Sequence, residues 1–60
     1  MYNFTEEQIR NWFKYERVRR AGAFNMFDPY ARLATRLSHE DYMFCMNNYS
    51  ELRDVAEREW

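Results

Sequence analysis

The residues that could do chemistry lie close together. His39, Glu40 and Asp41 are consecutive, and Cys45 follows four residues later. A thiol with an imidazole could serve a nucleophile or hold a metal, and neighbouring carboxylates could trade protons. The spacing argues against each. Consecutive residues on a helix point about 100° apart, so the His39-Glu40-Asp41 side chains diverge. Cys45 is six residues from the chain's only histidine, on another side of the helix. No glycine-rich loop exists to cradle a phosphate. Glu40 and Asp41 have a simpler role, since acids at a helix N-terminus offset its dipole. The expectation is no catalytic residue, no metal, no cofactor and no small-molecule substrate, with Cys45 a buried, inert thiol.

Three helices account for the positions of these residues. "FTEEQI" opens the first, with Thr5 as N-cap, Gln8 as its capping-box partner, and Phe4 with Ile9 at the hydrophobic-staple positions. It should run to Arg20 or Ala21 and end at Gly22. Ile9, Trp12 and Phe13 form its core face. Glu16 and Arg20, four apart, are expected to pair at the edge, with Tyr15 and Val18 toward other sides. Asp28-Pro29 opens the second helix as N-cap and N1, or Asn25 caps a slightly longer one. Tyr30, Leu33, Ala34 and Leu37 recur at i, i+3, i+4, i+7 and read as its core face. "LSHEDY" opens the third with Ser38 as N-cap and Leu37 with Tyr42 as staple. Tyr42, Cys45, Met46, Tyr49, Leu52, Ala56 and Trp60 then fall on one stripe. The unbroken stripe argues that "NNYS" lies inside the helix, and a break at Ser50 is the alternative. The fold expected is all-α: one compact domain over 1–60 with three helices at about 5–21, 26–37 and 39–59. The expected core is Ile9, Trp12, Phe13, Tyr30, Leu33, Leu37, Tyr42, Cys45, Met46, Tyr49, Leu52 and Ala56.

A domain of 60 residues buries only about 60% of its unfolded surface. One cysteine allows no intrachain disulfide, and packing or a second copy must do the work; a homo-oligomer is expected. No apolar run approaches the roughly 18 residues that span a bilayer. The opening "MYNFTEEQ" has no apolar core of a signal peptide. A cytoplasmic protein with no membrane partner is the expectation.

"RRAGAFNMFDP" holds the only Gly and the only Pro, yet Ala23, Phe24, Met26 and Phe27 between them are apolar. It reads as a compact corner. Phe24 should pack back on the first helix, and Met26 and Phe27 should plug the open end of the core. The stretches "VRRAGAFNMFD" and "LSHEDYMFCMNNYSEL" resemble a class of small phage- and prophage-encoded proteins. The matching residues are Arg19, Gly22, Asn25, Met26, Phe27, Tyr42, Asn48, Tyr49 and Leu52, over roughly 16–53. Tyr30, Arg32 and Arg36 depart from that family's Ala-rich second helix. The resemblance implies a phage origin and a bacterial host cytoplasm, and it carries no activity.

Charge is unevenly placed. Residues 1–37 carry seven Arg/Lys and four Asp/Glu, whereas 38–60 carry two Arg and six Asp/Glu. Either the helices pair through these charges, or a basic surface awaits an acidic partner. Arg10, Lys14 and Arg17 share one face of the first helix, and Arg32 and Arg36 extend it. Phosphate contacts could come from such an array. A conventional helix-turn-helix is not expected, because the would-be recognition helix opens with two carboxylates. Phe44, Val55 and Met43 lie off the core stripe of the third helix and, with Phe27, are the candidate interface. The function expected is stoichiometric binding of a host or phage protein, with nucleic-acid binding through the basic face as the alternative.

Overall fold

The computed structural model describes residues 4–59, with side chains through Arg58. Over these residues the chain is all-helical: α1 (Glu6–Ala21), α2 (Pro29–Thr35), α3 (His39–Asn47) and α4 (Tyr49–Glu59). No helix among the described residues is long and apolar enough to cross a membrane. Trp60, placed on the third helical stripe by its spacing, lies outside the described residues.

The helix starts form as their sequences require. Thr5 Oγ1 accepts the Gln8 N–H at 3.1 Å, and Gln8 Oε1 accepts the Thr5 N–H at 2.8 Å, which closes the capping box. Asp28 Oδ1 accepts the Tyr30 N–H with Pro29 behind it. Ser38 Oγ accepts the Asp41 N–H at 3.1 Å. Gly22 ends α1 at φ 69°, in the left-handed region where a Cβ is costly. Asn25 does not cap α2; its Oδ1 accepts the Phe27 N–H in the corner.

α1 is the hub, packing against each of the other three helices. It buries Ile9, Trp12 and Glu16 on one line and Asn11 and Tyr15 on a second. At 3.6 residues per turn these lines together cover about half its circumference. Phe13 falls just outside that arc and is exposed, with its ring edge-on to Trp12 at 5.2 Å. Tyr15, read from the sequence as off the core, is buried against Tyr42 and Tyr49.

Two further expectations are corrected. The third helix is two helices, α3 and α4, and the break falls at Asn48. Asn48 offers Phe44's carbonyl both its N–H and its side-chain Nδ2, each at 3.0 Å. The i→i−4 bond is kept, but the Asn48 backbone leaves helical geometry at φ −117°, ψ 26°, at a residue type that is a poor helix former. α4 then buries Leu52, Val55 and Ala56 at i, i+3, i+4. α2 is shorter than 26–37, and it packs through Ala31 and Thr35. Those small side chains permit close approach to α1. Tyr30 and Leu33, expected in the core, point outward at 68% and 57% exposure. Leu37 is buried beyond the end of α2. Met46 and Tyr49 pack half-buried against the core.

Candidate functional site

Outward-facing apolar residues gather on the corner and on α2. Phe24, Phe27, Tyr30 and Leu33 recur every three residues and are all exposed, Phe27 most of all at 84%. Within α2, Tyr30 and Leu33 are neighbours on one face, with Ala34 a turn from Tyr30. Phe24 was expected to pack back on the first helix, and it stands exposed; Phe27 was expected to plug the core beside Met26, and it does not. Met26 does pack on it, held where the Tyr42 hydroxyl donates to the Met26 carbonyl at 2.7 Å. That bond ties the corner to α3.

Beneath Phe27 lies a small cleft of about 120 Å³, lined by Met26, Met43, Met46, Tyr42, His39 and Arg32 among others. It brings together two of the interface candidates, Phe27 and Met43. Methionine side chains can repack around different shapes. The other two candidates lie elsewhere. Val55 is 8% exposed and belongs to the core, beside Leu52 and Ala56 on the inward face of α4. Phe44 is half-buried, edge-on to Phe4 with ring centroids 5.9 Å apart.

The basic residues divide in the same way. Arg10 is paired with Glu6 at 2.8 Å. Arg32 is half-buried and donates to the Leu37 carbonyl at 3.3 Å, bracing the α2–α3 turn. Lys14, Arg17 and Arg36 are exposed and line one groove between α1 and α2. No ion pair among the described residues joins α1's basic residues to the acidic helices; those that form stay within α1.

Glu16 anchors the opposite side of α1. Its carboxylate accepts two bonds from Arg19 at 2.7 and 2.8 Å, one from Arg20 at 2.9 Å and one from the Tyr49 hydroxyl at 2.7 Å. The expected pair with Arg20 forms, but Glu16 is buried rather than at the edge. Arg19's guanidinium also lies over the Tyr49 ring, 5.3 Å from its centroid. The Arg19 bonds hold the Glu16 carboxyl down at about 2 against the opposing effect of burial, with Tyr49 and Arg20 assisting.

Cys45 is fully buried, and burial, with Asp41 nearby, pushes its thiol up to about 11. Burial, then the neighbouring Tyr42, Cys45 and Tyr49, raises Tyr15 to about 12. Both groups are neutral near pH 7 and have no charge to offer a substrate.

The signal for the exposed apolar strip was present in the sequence. Ala31 and Thr35, four apart, mark a narrow small-residue face that competes with the Tyr30/Leu33/Ala34 face for the core. No protein-family model matches the chain, and neither a curated protein nor a solved structure matches it.

Proposed function

We propose that the protein is a binding module that acts by occupying another protein stoichiometrically, without chemistry of its own. The observation that carries this is the outward strip of Phe27, Tyr30 and Leu33 on a helix already packed through Ala31 and Thr35. Large exposed side chains of this kind mark interaction surfaces, and aromatic anchors dominate interface energies. The methionine-lined cleft beside Phe27 offers a seat for a partner side chain. The resemblance of residues 16–53 to small phage-encoded proteins supports a bacterial host or phage protein as the partner. A second copy of the chain could use the same strip, which would make the protein a homo-oligomer.

A second reading is nucleic-acid binding in the bacterial cytoplasm. The exposure of Lys14, Arg17 and Arg36 on one groove favours it.

The test is affinity capture from nuclease-treated bacterial lysate, with the wild type beside a Phe27→Ser/Tyr30→Ser/Leu33→Ser variant. All three positions are exposed, so the variant should keep the wild-type melting curve. One stoichiometric protein retained by the wild type and lost by the variant supports the module. Equal retention by both removes the strip as the binding surface. Retention of nucleic acid alone, when nuclease is omitted, favours the second reading.

A further inference from the structure

We propose that the α1–α2 groove and the apolar strip beside it dock an acidic amphipathic helix of the partner protein. This rests on the binding-module reading and specifies the partner's chemistry. Lys14 and Arg17 from α1 and Arg36 from the end of α2 converge on a groove of about 370 Å³ completed by Val18, Ala34 and Thr35. The groove has three cations and no carboxylate in its lining. None of the three is ion-paired among the described residues. Ala34 sits on the groove wall, and Tyr30, one turn away on the same face, leads to Leu33.

An amphipathic helix matches both halves of this surface. Its apolar stripe, repeating at i, i+3, i+4, covers Tyr30 and Leu33. Carboxylates flanking that stripe reach Lys14, Arg17 and Arg36. A phosphate backbone would satisfy the cations and leave Leu33 and Ala34 uncovered, so an acidic helix fits the surface better than a nucleic acid does.

Arg36 adds an independent observation. Among the described residues it is the non-glycine residue with positive φ, at 66°, where it ends α2. Glycine occupies that conformation with less strain. The fold gives the Arg36 side chain no hydrogen bond or ion pair among the described residues and leaves it exposed. The arginine places a charge at the groove that the fold itself does not use.

The probe is a labelled four-turn amphipathic peptide with a leucine stripe flanked by glutamates. Its controls are the same peptide with glutamines and a single-stranded oligonucleotide, each titrated into the intact chain. The glutamate peptide should bind at least about tenfold more tightly than the glutamine peptide at low salt, and this gap should shrink as salt rises. Arg36→Gly should melt no lower than the wild type and weaken the glutamate peptide about twofold to fivefold, the size of one exposed charge pair. Leu33→Ser should weaken both peptides equally. Equal binding of the two peptides overturns the acidic preference and leaves the apolar module standing. Binding of neither peptide overturns the docking proposal, while partner capture that depends on Phe27, Tyr30 and Leu33 still judges the module separately. Preferential binding of the oligonucleotide, or a monomer–dimer equilibrium abolished by Arg36→Gly, overturns it in favour of a nucleic acid or a second copy.

Discussion

Tyr49 of α4 donates its hydroxyl proton to Glu16 of α1 at 2.7 Å, across 33 residues of sequence. The same carboxylate is gripped by Arg19 through two bonds and by Arg20 through one. Three of these four charge-assisted bonds lie within α1 and hold the carboxylate in place, and the Tyr49 bond is the one that ties α4 to the hub helix. Removing the hydroxyl with Tyr49→Phe should cost about 1.5–3 kcal/mol, the range for a hydrogen bond to a charged group. Urea unfolding at neutral pH measures it, and a loss below about 0.5 kcal/mol would mean that the contact adds little.

The same site makes stability depend on acid. Glu16's carboxyl is held at about 2 in the fold, against 4.5 as the ordinary value. A depressed carboxyl contributes stability that is complete above the unfolded value and lost as pH falls through the folded one. The loss should therefore fall between about pH 4.5 and pH 2, and its upper bound is about 3 kcal/mol. Glu16→Gln should be less stable than wild type at neutral pH, and the gap should narrow toward pH 2. A gap independent of pH across that window would contradict the assignment.

Val55 and Leu33 exchange their expected roles, and this can be measured. Val55→Ala should cost about 1–2.5 kcal/mol, as for a truncated core side chain. Leu33→Ala should stay within about 0.5 kcal/mol, as for an exposed position. The reverse order in thermal melts would restore the core face read from the sequence.

Cys45 should be silent toward thiol reagents. It is fully buried, with its thiol raised to about 11, so both access and thiolate fraction are low. Labelling with a disulfide-exchange reagent should proceed only at the rate of unfolding, and should become immediate in denaturant. Rapid labelling of the native chain would show an accessible thiolate.

Arg36 tests the cost of its backbone. An L-residue in the left-handed region pays roughly 1–2 kcal/mol, part of which glycine returns through its larger unfolded-state entropy. Arg36→Gly should therefore leave stability unchanged or raise it by up to about 1 kcal/mol. A loss on thermal unfolding would mean that the arginine side chain supports the fold.

The local grammar was legible in neighbouring residues alone. Thr5 with Gln8 and Ser38 each start a helix where they were expected, Asp28 with Pro29 starts one at the later of two expected places, and Gly22 stops one. A cap is a bargain struck within a single turn, between a side-chain oxygen and an N–H two or three residues on, so a few adjacent residues suffice to specify it. The all-helical class followed from the same signals together with the apolar period. The tertiary structure decided which face each helix turned inward. α2 has two candidate faces, and the small Ala31/Thr35 side won because it seats against α1, leaving Tyr30 and Leu33 outside. Periodicity shows that a stripe exists and does not show which neighbour will cover it. The break falls at Asn48, where the backbone leaves helical geometry. A continuous apolar stripe hid it. The Glu16–Tyr49 bond is a tertiary outcome too, because it joins residues 33 apart that only the packed chain brings within reach.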